Sequence, residues 1–187
     1  MARVKEKYKV IAKLDPSAPD GVHFDLADDN GNKPENLEFD KSKHPNMGKK
    51  DEHEVTFQLI QEPGMTLEFA QSLKDVLWVA WGDATHAPAC PMSRPATAPD
   101  PIFYAEKSSP NKLKAVNGNP KHCWFSFTLN FVDPHSQTPT KLIPFDPVGE
   151  NKNGGIGRSD TSFLTSTTVA VAACVAVVLA IGYVLLN

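Results

Sequence analysis

No Lys, Arg, Asp or Glu occurs after Asp160, and the run from Phe163 to Leu186 carries no charge at all. Cysteine is scarce, with three in 187 residues. That is too few for the dense bridging of a small secreted fold, so reduced thiols are expected. The sequence contains no G-x-G-x-x-G, no G-x-x-x-x-G-K-[ST] and no G-x-S-x-G, so nucleotide binding and the commonest serine hydrolases have no motif behind them. A sustained basic stripe is missing too: 19 Lys and Arg are interspersed with 22 Asp and Glu for a net charge of -3, and no nucleic-acid partner is expected. The basic opening MARVKEKYK is followed by Asp15, Pro16 and Asp20. It lacks the apolar run of about 7 to 15 residues that a secretory signal needs.

What is present begins with the uncharged segment itself. A helix rises about 1.5 Å per residue, so roughly 20 apolar residues cross the ~30 Å hydrocarbon core of a bilayer, and 163–187 is long enough to do so. The expectation is a single-pass transmembrane anchor with the lipid bilayer as its first partner. Lys141, Lys152 and Arg158 precede it and no Lys or Arg follows, which predicts a cytoplasmic soluble domain. Within the anchor, Thr168, Ala172, Ala176 and Ala180 repeat every fourth residue. Such a face of small side chains lets two helices approach closely in lipid, and it predicts a membrane-protein partner. Residues 148–162, rich in Gly, Asn, Ser and Lys, are expected to be a flexible linker with a reach of roughly 20 Å.

Residues 1–147 are enough chain for one domain with its own core. Short runs of alternating polarity, broken by many of the 16 prolines, predict strands and turns. The expected strands are Tyr8 to Leu14, Val22 to Leu26, Leu37 to Phe39, Val55 to Leu59, Val76 to Trp81, Ile102 to Lys107 and Cys123 to Phe131, with Lys141 to Phe145 at an edge because Pro144 cannot donate to a ladder. MTLEFAQSL, with Leu67, Ala70 and Leu73 at three-residue spacing, is the one expected helical stretch. Cys123, Phe125, Phe127, Leu129 and Phe131 alternate strictly with Trp124, Ser126, Thr128 and Asn130, which pins the register of that strand. Seven to eight such strands predict a mainly β fold, a two-sheet sandwich of immunoglobulin-like outline.

Candidate chemistry is sparse. Trp124, Ser126, Thr128 and Asn130 form one row on a sheet face, which if uncovered suits a protein, small-ligand or saccharide partner. His86, Cys90 and Met92 in HAPACPM, with His122 further on, are the metal or enzymatic alternative, although copper of the electron-transfer type wants a second His close to the Cys. The bland alternative is that Cys90 and Cys123 pack as small apolar groups. DDNGN at Asp28 to Asn32 is oxygen-rich, but it lacks the further acidic ligands of a calcium loop and is expected to be a turn. No cofactor and no enzymatic activity are expected.

Acid-proline steps recur at Asp15-Pro16, Glu62-Pro63, Asp100-Pro101, Asp133-Pro134 and Asp146-Pro147, where proline presets φ and the acid caps its own turn. With QEPG early and FDPVGENKNGG late, the pattern resembles that of the DP-EP family, small bacterial β-sandwich proteins of unassigned function. The resemblance covers roughly residues 8 to 155, leaves the anchor aside, and implies a sandwich fold in a bacterium with no activity to carry over. The functional expectation is a membrane-anchored, non-catalytic binding or accessory module, a subunit or scaffold of a membrane protein assembly.

Overall fold

A computed structural model describes residues 2–48 and 50–152. The expected anchor, its Thr168, Ala172, Ala176 and Ala180 face, and the expected linker from residue 153 onward lie outside the described residues. Eleven strands run in the order β1 (Arg3–Leu14), β2 (Val22–Asp28), β3 (Leu37–Asp40), β4 (Glu52–Gln61), β5 (Glu68–Phe69), β6 (Leu77–Trp81), β7 (Phe103–Ser109), β8 (Lys112–Asn117), β9 (Cys123–Val132), β10 (Ile143–Phe145) and β11 (Val148–Lys152). A five-stranded sheet has the order β2-β1-β4-β8-β7, and a six-stranded sheet is built around β9. Both sheets are mixed, because β1 pairs β4 and β11 pairs β3 in parallel while the other pairings are antiparallel. Among the described residues no helix is long and apolar enough to cross a membrane.

The strict alternation of β9 makes it the hub of the second sheet. One edge pairs β6 and β5; the other pairs β11 at Cys123–Ser126 and β10 at Leu129–Phe131. Its inward residues Phe125, Phe127, Leu129 and Phe131 are fully buried. They face Val10 and Ala12 of β1, Val55, Phe57 and Leu59 of β4, and Leu113 and Ala115 of β8, all in one core cluster. Rings meet across the gap, with Phe57 and Phe127 6.1 Å apart by centroid. The outer face of the first sheet is held by charge: Arg3 pairs with Glu106 at 2.8 Å, and Lys114 with Glu54 at 2.9 Å and Glu106 at 2.8 Å.

Three departures from the expected elements have local causes. MTLEFAQSL is not helical: Phe69 pairs with Phe131 to make β5, and turns follow it. A buried ladder position against β9 outweighs the three-residue spacing of Leu67, Ala70 and Leu73. β8 was not expected, because Lys112 and Lys114 mask a period-two pattern whose inward Leu113 and Ala115 are fully buried. Lastly, the expected boundary at residue 147 is too early. Val148–Lys152 is a sheet strand laddered on both sides, to β9 and to β3.

Gly149 explains how so polar a strand enters the core. A Cβ there would collide with the ring of Phe125 across the ladder. That ring cannot withdraw, because Phe39, Phe103, Phe127 and Trp81 surround it at centroid distances of 6.0, 5.5, 5.9 and 5.0 Å. Gly149→Ala is therefore expected to lower unfolding stability by about 1–3 kcal/mol through overpacking. Chemical denaturation followed by tryptophan fluorescence measures it, and a wild-type midpoint would contradict the packing described.

Candidate functional site

The row opposite the β9 phenylalanines is not an open face. Ser126, Thr128 and Asn130 are fully buried and Trp124 is half-buried. The Pro-rich segment 86–101 lies over two of them: Ser126 Oγ donates to Pro88 O, and Thr128 Oγ1 donates to Pro91 O at 2.9 Å. Asn130 Nδ2 donates to Asp75 O at 2.7 Å, and Trp124 N donates to Asp83 O at 2.7 Å. Prolines leave their carbonyls free of a strand ladder, and a hydroxyl row supplies donors that such a segment lacks on its own. Ser126 and Thr128 thus dock the chain's own loop and Asn130 is tied to Asp75, which corrects the expectation of an open partner face for these three, while Trp124 stays half-buried. Trp81 Nε1 pins the far end of the loop by donating to Asp100 Oδ2 at 2.8 Å.

The His86, Cys90 and His122 set does not converge into a ligand cluster among the described residues. Exposed His86 accompanies Asp83 and Thr85 in a turn, where Asp83 Oδ1 accepts from His86 N at 2.8 Å. Cys90 lies near Pro147 O, and burial followed by Asp146 raises its thiol pKa. His122 Nε2 lies 3.2 Å from Glu150 Oε1. Cys123 is buried, with its pKa likewise raised, first of all by burial. A thiol pushed upward is a poor nucleophile and a poor ligand at neutral pH. DDNGN is a turn: Asn32 N and Nδ2 donate to the two Asp28 carboxylate oxygens, each at 2.8 Å.

The side chains that do converge are Glu6, His44 and His53, whose ligand-capable atoms all lie within 4.8 Å of one another. Glu6 and His53 come from the parallel pair β1 and β4, where Glu6 stands opposite Val55. Both continue the inward-facing phase of their strands, Glu6 that of Tyr8, Val10 and Ala12, and His53 that of Val55, Phe57 and Leu59. They close one end of the sandwich interior with polar groups instead of apolar ones. His53 is fully buried, and its Nδ1 lies 2.7 Å from Glu6 Oε1. Its Nε2 has no hydrogen-bond partner among the described residues.

The second oxygen of the carboxylate is held as well. Tyr8 Oη donates to Glu6 Oε2 at 3.0 Å, and burial, followed by the Glu6 charge, raises the tyrosine pKa. The phenol therefore stays protonated and serves as a fixed donor. His44 follows a short 3-10 turn at Lys41–Lys43, its N donating to Lys41 O at 3.1 Å. That turn is capped by Asp40, whose Oδ1 accepts from Ser42 N at 2.9 Å. It sets the half-buried His44 ring edge-on to His53 at a centroid distance of 5.9 Å. Phe39 packs edge-on against His53 at 5.3 Å. Lys41 is buried beside this turn with Nζ donating to Gly118 O at 3.0 Å. Burial lowers its pKa, opposed by the charges of Asp51 and Glu52.

Sequence reasoning missed this constellation, although half of its signal was present. Running the β4 phase back from Leu59, Phe57 and Val55 lands on His53, and running the β1 phase back from Ala12 and Val10 lands on Tyr8 and Glu6. A polar residue at a core position is an error unless it has a use. His44 carries no such mark, because only the tertiary path of the loop brings it to the site. Set against known proteins, the chain matches no family model and no curated protein sequence.

Proposed function

We propose that this chain is a non-catalytic binding or accessory module, an immunoglobulin-like sandwich held at the cytoplasmic face of a membrane by residues 163–187 and belonging to a larger membrane protein assembly. The observation that carries this reading is the uncharged run from Phe163 to Leu186. Burying that much apolar surface in hydrocarbon favours the bilayer, with no buried charge to oppose it. Thr168, Ala172, Ala176 and Ala180 are its contact face for a partner helix, and the loops of the sandwich are its contacts on the aqueous side. The engagement of the Ser126 and Thr128 hydroxyls by the loop, and the burial that raises the Cys90 and Cys123 thiols, support this reading. A cleft of about 220 Å³ lined by Phe24, Asp25, Phe145 and Val148, among others, falls below the ~300–1,000 Å³ usual for small-molecule sites. A bacterial setting follows from the resemblance to DP-EP proteins.

The test is fractionation of the full chain. It is expected to pellet with membranes, to resist alkaline washing and to need detergent for extraction, after which mild detergent should retain a partner in fixed stoichiometry. Recovery in the supernatant of a detergent-free spin would overturn the anchor, and a pelleted but partnerless monomer would overturn the accessory role.

A further inference from the structure

Burying an imidazole completely at a core-facing position is costly unless its nitrogens find partners. At residue 53 the histidine is fully buried, yet only Nδ1 is hydrogen-bonded, to a carboxylate that is itself fixed by a tyrosine. A second histidine stands beside it from a different part of the chain. From this geometry we infer that Glu6, His44 and His53 bind a divalent first-row transition metal ion, with Tyr8 as the outer residue that orients Glu6.

The donor set selects the class of ion. Calcium and magnesium prefer all-oxygen cages, and copper(I) prefers sulfur, whereas two imidazoles and one carboxylate are the ligands of zinc and its neighbours. Both thiols of the described residues lie elsewhere, at Cys90 and Cys123. Bonds of about 2.0–2.2 Å in tetrahedral geometry place ligand atoms about 3.3–3.5 Å apart, so Glu6 Oε1 and His53 Nδ1, now 2.7 Å apart, must open slightly to admit the ion between them, and His44, within 4.8 Å, needs only a small inward shift. His44 can supply it, because it sits in a loop that follows a single 3-10 turn, whereas Glu6 and His53 are locked in adjacent strands. Its half-buried position also gives the ion a route from solvent. The Tyr8–Glu6 bond matches the outer-shell support that metal sites use to hold a ligating group in one orientation. Three protein ligands leave room for water or an external group on the ion.

The experiment titrates the detergent-solubilised full chain, stripped with chelator, with Zn2+ by calorimetry and with Co2+ by visible absorption. One equivalent per chain is expected, with d–d bands of a low-symmetry nitrogen and oxygen site and a rise in unfolding temperature on adding Zn2+. His44→Ala, which lies outside the core and should fold normally, is expected to weaken binding at least about 100-fold and to abolish the temperature rise. Glu6→Gln should act in the same direction, and Tyr8→Phe should weaken binding about 10-fold. A His86→Ala/His122→Ala double variant should bind like the wild type. Absence of saturable binding, or wild-type affinity in a folded His44→Ala chain, would overturn the proposal.

Discussion

Phe127→Ala should lower the unfolding free energy by about 3–5 kcal/mol, a large fraction of the total for an ordinary domain. The ring is fully buried at the middle of β9, where Phe57 of the facing sheet, Phe103 and Phe125 surround it at centroid distances of 6.1, 5.4 and 5.9 Å. Truncation removes the transfer energy of the ring and leaves a void that neighbours fixed in two ladders cannot fill. Denaturant unfolding of the full chain, followed by tryptophan fluorescence, gives the difference directly. Met92→Ala serves as the control: Met92 is 74% exposed, and its loss is expected to stay within about 0.5 kcal/mol. A loss below about 1 kcal/mol for Phe127→Ala would mean that the two sheets do not meet through this ring.

Asn119→Ala ranks next, with an expected loss of about 3–4 kcal/mol from two sources. Asn119 has φ 40, in the left-handed region that asparagine tolerates and alanine does not. Its side chain also closes a buried clasp between the sheets. Nδ2 donates to Phe39 O at 2.8 Å and Lys152 O at 3.2 Å, both in the second sheet. Its own N donates to Asn117 Oδ1 at 2.8 Å, and Asn117 Nδ2 donates to Asn151 Oδ1 at 2.9 Å. Since Asn117, Asn119 and Asn151 are all fully buried, a lost donor is not replaced by water. Asn119→Gly separates the sources. It relieves the backbone but still lacks the Nδ2 bonds, so it should recover about 1 kcal/mol relative to alanine. Equal effects from both substitutions would refute the backbone share.

How far the fold was legible depended on whether a strand announced itself. β9, with its nine-residue alternation, was readable to within a residue, and β2 to within two, because alternation of polarity marks both. β8 and β11 were not. In β8, Lys112 and Lys114 supply the outward positions and Asn117 ends the strand inside the clasp, so the pattern reads as polar chain. In β11, burial is achieved by a glycine under a phenylalanine ring and an asparagine in a polar network, neither of which has an apolar signature. Placing the sandwich boundary at residue 147 followed directly from that.

The candidate site divides along the same line. Glu6, Tyr8 and His53 fall on the inward phase of legible strands, so their polarity was a detectable anomaly. His44 and the covering of Ser126, Thr128 and Asn130 depend on where two loops travel, which neither period nor composition encodes. Nothing in the residues of the Pro-rich segment distinguishes a loop that binds others from one that binds the sheet beneath it.

The placement of β11 also bears on mechanical load. It is the last described strand, yet it lies between β9 and β3 instead of at a margin. Tension applied through the chain beyond Lys152 enters the fold along β11. Pulling lengthwise on a strand with neighbours on both sides shears many bonds at once, whereas a marginal strand peels away one bond at a time. A strand so placed is held by ladders on both sides, to β9 and to β3, so a lengthwise pull at Lys152 loads both together.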